Sequence, residues 1–352
     1  MKAPVKLNKI APFIILLIGG LFYLLFNNDG SHTVEPKNDM PLNNTINETI
    51  IGFYNVENLF DIYDDPRTND EDFTPDGYQN WNQERYDDKL EKIAEMISTM
   101  HKDLLPAVMG FSEIENHTVL QDLLANKRLK DAGYKIIHKD NHDGRGIDVA
   151  AIYRPEFFKV DSYTFTPVTL PGMDRPNTRD ILEIKGTFSN GKKATIYFTH
   201  WSSRRAGTFE TEPKRIATAK IMRSKIDAVL EVDPEANIFI LGDFNDEPSD
   251  KSVKEYLMKN DFANLSRQFE HSDYGTVNHQ GDWLVFDQVI VSNSAMRNAT
   301  FKLTEKSAHI HKTESNTFTH KDGNQVPSRT YGGNKYYGGY SDHYPVYLKL
   351  NL

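Results

Sequence analysis

The stretch that most constrains what this chain can fold into is 237–248, NIFILGDFNDEP. Ile238, Phe239, Ile240 and Leu241 form a continuous apolar run bounded by turn residues, the pattern of a short strand covered on both faces. Gly242 permits a tight turn, and Asp243, Phe244 and Asn245 follow it. A buried strand ending in Gly-Asp-x-Asn sets a carboxylate and an amide at the rim of a sheet, where α/β proteins assemble sites from several strand ends. Taken alone, Asp243 and Asn245 could equally cap the turn before a helix near 249–259. Other strand-like runs in the chain end the same way, and that repetition favours a site.

From residue 49 onward strand and helix patterns alternate, which argues for a layered α/β fold. Strand-like runs lie at 50–55, 107–111, 148–153, 194–199, 287–291 and 344–350. Segment 85–101 carries Leu90, Ile93, Ile97 and Met100 at helical spacing, and 119–130 and 213–231 read as further helices. The acidic, aromatic and aperiodic stretch 61–81 reads as a loop. No internal repeat or compositional break follows residue 50, so 49–352 counts as one large domain.

The N-terminus differs. Residues 10–26 are uncharged and almost wholly apolar, behind a basic region 1–9 with Lys2, Lys6 and Lys9. A helix of that length would span about 25 Å, near the lower limit for a bilayer core. It reads as a transmembrane anchor or a long signal sequence; no obvious small-x-small cleavage site follows it, which favours an uncleaved anchor with the lysines cytoplasmic and the rest of the chain outside, periplasmic or extracellular. The polar tract 27–48 reads as a flexible tether. The chain has no cysteine, which excludes disulfides and thiolate metal sites.

At the strand ends stand Asn55, Glu113, His200, Asp243, Asn245, Asp287 and the pair Asp342-His343. Each has an ordinary structural explanation as a turn residue, cap or surface acid, but the set would need all of these coincidences together. The residue types suit phosphate ester hydrolysis. A hard cation such as Mg²⁺ takes carboxylates, substrate oxygens and waters, a His held by an Asp suits proton transfer at neutral pH, and amides and a second His can stabilise the developing equatorial charge. Arg204 and Arg205 follow His200 closely, and a guanidinium pair there reads either as a solvated surface pair or as a phosphate grip in fork geometry.

These motifs resemble, in order, those of the endonuclease/exonuclease/phosphatase superfamily, which includes DNase I-like nucleases. FYNVENLFD is similar to the family's opening Asn motif, MGFSEIEN to its metal-ligand Glu, FTHW to its Thr-His motif, LGDFND to Gly-Asp-x-Asn, FDQVIVS to its Asp-bearing strand and YSDHYPV to the terminal Ser-Asp-His. The resemblance covers about 50–352. It implies a four-layer sandwich of two mixed β-sheets flanked by helices, here preceded by the N-terminal hydrophobic helix, with the site at one end. It implies Glu113 as principal metal ligand with Asn55 and Asp342 nearby, His343 paired with Asp287, and Asp243, Asn245 and His200 around the scissile phosphate. Mg²⁺ is the implied ion, with Mn²⁺ or Ca²⁺ as alternatives. Glu57 stands where many relatives carry Asp. Either Asp243 or His343 would be the general base.

The substrate is less legible. THWSSRRAG looks like exported bacterial nuclease-like members, and the apolar N-terminus fits export, so nucleic acid is the expected substrate. The net charge of −9 argues against an extended nucleic-acid footprint, although basic clusters at Lys214-Arg215 and within 135–145 offset this locally. A sphingomyelinase-like phospholipid phosphodiesterase or another phosphoesterase is the alternative, and a binding module that keeps the fold without activity is disfavoured by the intact constellation.

Overall fold

The computed structural model describes residues 31–33, 48–102 and 104–352, and of 31–33 only the backbone. The expected apolar anchor at 10–26 lies outside the described residues. Among the described residues no helix is long and apolar enough to cross a membrane.

Two mixed sheets face each other. The first runs, in spatial order, β1 (Ser31–Thr33), β6 (Phe158–Thr166), β7 (Ile181–Phe188), β8 (Lys193–His200), β9 (Ile238–Asp243), β13 (Asp287–Ser292) and β10 (Phe262–Asn264). The second runs β14 (Ala308–Ile310), β19 (Val346–Leu350), β2 (Thr49–Leu59), β3 (Val108–Ile114), β5 (Asp148–Tyr153) and β4 (Lys135–Ile137). Strand β1 pairs antiparallel with β6, so three residues of the expected tether belong to a sheet edge instead. Three hairpins complete the strands: β11 (Val277–His279) with β12 (Asp282–Leu284), β15 (Thr317–Thr319) with β16 (Gln325–Pro327), and β17 (Tyr331–Gly332) with β18 (Lys335–Tyr336).

The continuous apolar run in β9 has the cause read from its sequence, because alternate residues face two different cores. Phe239 and Leu241 join Phe53, Val108, Leu182, Phe198, Val289 and Leu348 in the core between the sheets. Ile238 and Ile240 face outward onto Ala219, Met222, Ile226, Val253 and Leu257. These come from α3 (Thr208–Val232) and a π-helical turn, Ser252–Met258. The second sheet is covered in the same way by α1 (Gln83–Thr99) and α2 (His117–Ala125), which bring Leu90, Ile93, Ile97, Val119, Leu120 and Leu123 onto Ile50, Met109, Phe111 and Ile152. The result is the expected four-layer sandwich. Helix α3 begins five residues before the proline taken as its start, behind Gly207, and the expected helix at 249–259 is a short π turn. Gly110 lets the sheets close on one another, since a Cβ there would stand 2.1 Å from the Phe198 ring.

Strand polarity places the site. Each sheet contains one parallel pair, β2 with β3 and β8 with β9, and both pairs end at the same rim. Antiparallel neighbours start there, so Asp287 lies opposite Asp243 and the residues just before β19 come alongside the end of β2. Four strand ends and two strand starts therefore converge without a long loop.

Candidate active site

From the second sheet come Asn55 and Glu113. Both strands break register where these residues stand, between Asn55 and Leu59 in β2 and between Ser112 and Ile114 in β3. Glu57, Asn58 and Glu113 adopt φ values of 52°, 60° and 65°. Non-glycine residues seldom occupy this left-handed region, and bulges of this kind re-aim side chains at functional rims. Glu113 is consequently turned so that Oε2 accepts the Asn58 amide at 3.0 Å and Oε1 lies 3.4 Å from Asn55 Nδ2.

The first sheet supplies Asp243 and His200. Asp243 is 1 % exposed. Its Oδ1 accepts the Asn245 amide at 2.9 Å and its Oδ2 accepts Asn55 Nδ2 at 3.0 Å. His200 Nε2 lies 3.4 Å from Asp243 Oδ2 and 4.0 Å from Glu113 Oε1. Asn245, at φ 49°, donates from Nδ2 to the Trp201 carbonyl at 3.0 Å. His343 Nδ1 meets Asp287 Oδ2 at 2.7 Å, and its Nε2 faces Asp243 Oδ2 at 3.9 Å and Asp342 Oδ1 at 3.9 Å. The pairing of His343 with Asp287 implied by the resemblance is thus present in the geometry.

The electrostatics separate the groups. Burial pushes the Asp243 carboxyl up to about 7, opposed by His343 and reinforced by Asp287. Burial, then the charges of Arg179, Arg145 and His343, hold His200 well below the usual imidazole range. Burial opposes charge on His343 too, but the carboxylates of Asp287, Asp243 and Asp342 outweigh it and raise that imidazole well above its ordinary value. Two histidines on one carboxylate are therefore biased oppositely, one toward neutral imidazole and one toward imidazolium.

A hard cation fits the donor set of Asn55, Glu113 and Asp342, which is all oxygen. Burial, and then the Asp342 carboxylate, push the Glu113 carboxyl up, with the charges of His343 and Arg145 opposing them. Glu57 does not extend that set. It is 7 % exposed, and its oxygens accept the backbone amides of Thr330 at 2.5 Å and Tyr331 at 3.4 Å. Buried Lys89 binds the same segment through Thr330 Oγ1 at 2.6 Å and the Tyr340 carbonyl at 2.8 Å. Ser341 Oγ then donates to the Asn55 carbonyl at 2.7 Å and accepts the His343 amide at 3.1 Å. Together these bonds fix the segment that carries Asp342 and His343.

The arginines differ from the expectation. Arg204 is tied to Asp246 at 2.6 Å, to Asp250 and to the Asn245 carbonyl at 2.8 Å, and it lies 4.9 Å over the Phe286 ring. Its guanidinium fork is occupied by carboxylates, so it braces the turn after β9 rather than gripping phosphate. Arg205 is exposed and makes no ion pair among the described residues. Arg215, from the second basic cluster, is wholly buried and 2.7 Å from Asp246. Positive charge beside His200 comes from Arg179 and Arg145. Arg179 is 6 % exposed, pairs with Asp143 at 3.0 Å and donates to the Trp201 carbonyl. Arg145 shares Asp143 at 3.0 Å, and its charge reaches Glu113. Its loop is held by the buried Asp148, which meets His138 Nε2 at 2.8 Å and the Asn141 amide at 3.1 Å. Arg145 falls at the end of the 135–145 basic cluster, whereas Arg179 carries no sequence signal beyond an arginine before a strand.

With this geometry in view, the comparisons are decisive for the family. The profile described as "Endonuclease/Exonuclease/phosphatase family" matches residues 50–352. The chain belongs to that family. Solved structures share its fold at low identity. A Bacteroides thetaiotaomicron protein of the same family is 17 % identical, with a TM-score of 0.55 over 87 % of this chain and 98 % of that one. A humanized D. rerio TDP2 is 16 % identical, with a TM-score of 0.54 over 87 % and 99 %. A mannosyl-6-phosphatase from B. thetaiotaomicron is 17 % identical, with a TM-score of 0.53 over 86 % and 99 %. No curated protein matches the chain by sequence. The family identifies a phosphoester hydrolase fold, and members generally use divalent metals.

Proposed function

We propose that this chain is a divalent-metal-dependent phosphodiesterase that cleaves nucleic acid. The observation that carries the chemistry is the convergence of Asn55, His200 and His343 on a single oxygen, Asp243 Oδ2, at 3.0, 3.4 and 3.9 Å. That oxygen is the acceptor for the proton of an attacking water. His343, oriented through Nδ1 by Asp287, presents its Nε2–H to the charge that develops on the phosphoryl group. His200, held neutral, and Asn245 donate to the equatorial oxygens. Asn55, Glu113 and Asp342 would hold a Mg²⁺ ion, or Mn²⁺ or Ca²⁺ in its place, and such an ion would supply neutralisation of charge on the phosphate and on the leaving oxygen. Arg145 and Arg179 add a local positive wall inside an acidic protein, which supports a phosphodiester substrate despite the net charge of −9.

Purified full chain is tested on plasmid DNA, RNA, sphingomyelin and a sugar phosphomonoester, each with Mg²⁺ and with chelator. Strand cleavage in Mg²⁺ that chelator abolishes is the expected result. Turnover of sphingomyelin or of the monoester alone would reassign the substrate, and full activity in chelator would refute the metal. The lysine-flanked run 10–26 supports a membrane-held enzyme facing outward. Protease added to intact cells or spheroplasts should degrade the domain, and persistent protection would refute that placement.

A further inference from the structure

We propose that a groove opening from the catalytic rim binds the unpaired bases of single-stranded nucleic acid. This rests on the nuclease reading above and makes it narrower. The hairpins β11–β12 and β15–β16 wall a cavity of about 1020 Å³ whose lining includes Asp342 and Arg329. Arg329 lies 3.2 Å from Asp342 and 3.5 Å from Glu57, so the groove starts at the metal corner of the site. Val277 of β11 bridges to His343, which ties one wall to the catalytic histidine itself.

The walls carry aromatic rings that no core uses. Phe318 and Tyr337 both line the groove and are 52 % and 56 % exposed. Trp283 rests on Tyr344, with ring centroids 6.0 Å apart and planes at 21°, and Lys312 Nζ stands 5.7 Å from its ring. His320 lies edge-on to Phe318 at 4.9 Å. Exposed rings grouped around a polar cleft mark a binding surface rather than scattered apolar residues.

Charge argues against a duplex as the occupant. Lys312 and Arg329 are the lining lysine and arginine, set against Asp273, Asp322 and Asp342. A duplex presents about one phosphate charge per 1.7 Å and calls for a continuous basic track, which this groove lacks. A single strand can leave its phosphate at Arg329 and the rim and lay its bases on the rings, because every base has a π-face. The same feature reconciles the acidic chain with nucleic acid, since the footprint is short.

The test is binding of a labelled short single-stranded DNA to the full chain in chelator, read by fluorescence anisotropy beside a hairpin duplex and an abasic strand of equal length. The single strand should bind tightest, and Phe318→Ala and Tyr337→Ala should each weaken it roughly tenfold with an unchanged melting temperature, since both rings are exposed. Wild-type affinity in both variants overturns the proposal, as does equal or tighter binding of the duplex. Equal binding of the abasic strand also overturns it, by putting sugar rather than base on the rings. Base-dependent binding with no cleavage in Mg²⁺ sinks the nuclease reading while leaving the groove assigned. Cleavage by variants that bind like wild type sinks the groove alone.

Discussion

The catalytic rim and the groove wall beside it are built by different means. The rim is made of strand ends whose positions follow from sheet register: His200 lies beside Asp243 because β8 and β9 run parallel, and Asp287 faces Asp243 because β13 runs antiparallel. The wall is made of strands only three residues long, and the 330–340 segment beside it is held to the body by Glu57, which accepts the Thr330 amide, and by Lys89, which binds the Tyr340 carbonyl. A register holds its residues through many shared hydrogen bonds, whereas an anchor holds a segment through one or two. The rim should accordingly tolerate loss of a neighbour but not of a reacting group, and the wall should respond to loss of its anchors.

The largest expected effect is at the rim. His343→Ala and Asp287→Asn should each reduce kcat/KM on a small phosphodiester by on the order of 10³-fold, and the double variant should be little worse than the more damaged single, because the two act as one unit. Multiplicative losses in a double-mutant cycle would mean that the 2.7 Å contact is structural only. Next come the arginines. Arg179→Lys removes a fork that binds Asp143 and the Trp201 carbonyl together, and a loss of about 10- to 100-fold in kcat/KM is expected. Arg204→Lys, which alters the brace to Asp246, Asp250 and the Asn245 carbonyl but no contact to a reacting side chain, should change kcat/KM by less than about threefold. Equal sensitivity of the two would erase the distinction drawn between them.

The wall is tested through its anchors. Glu57→Ala leaves the Thr330 and Tyr331 amides without their acceptor, and a stability loss of about 1–3 kcal/mol is expected in urea unfolding, with a fall in kcat as Asp342 and His343 lose their seat. Unchanged kcat would show that the segment is held without Glu57. The smallest effect is on pH. His311 bonds Thr99 Oγ1 at 3.1 Å at the root of the wall, and burial pulls its pKa down to about 4. Between about pH 4 and the unfolded value near 6.5 the unfolded chain binds the additional proton, so stability should rise with pH through that window and be fully present above it. His311→Gln should flatten this rise by on the order of 1–3 kcal/mol. A slope unchanged in the variant would assign the acid sensitivity to another group.

The same division explains what was legible beforehand. The runs ending in Asn55, Glu113, His200 and Asp243 are continuous and apolar because both faces of their strands are covered, and that pattern survives in the sequence without any tertiary information. Strands β6 and β7 went unread. In β6 buried Phe158 and Val160 alternate with exposed Lys159, as a strand toward the sheet's edge does, and no chemical residue marks its end. For Arg204 the expected grip gives way to a brace, because proximity in sequence puts it beside His200 while Asp246 and Asp250, 42 and 46 residues away, claim its guanidinium. Arg179 reaches the rim only because the end of β8 brings the Trp201 carbonyl to it. The groove was invisible for a similar reason: its rings come from residues 283, 318 and 337, joined by no periodicity.

The central claim is that Glu113 holds a divalent cation on which turnover depends. The most direct measurement is Mg²⁺ titration of the full chain and of Glu113→Gln, read by calorimetry and by cleavage of a phosphodiester at each Mg²⁺ concentration. The expected result is saturable binding by wild type that tracks activity, with binding weakened and turnover cut by on the order of 10²-fold or more in the variant while its melting temperature holds. Wild-type turnover in Glu113→Gln, or full activity in excess chelator, would contradict the account.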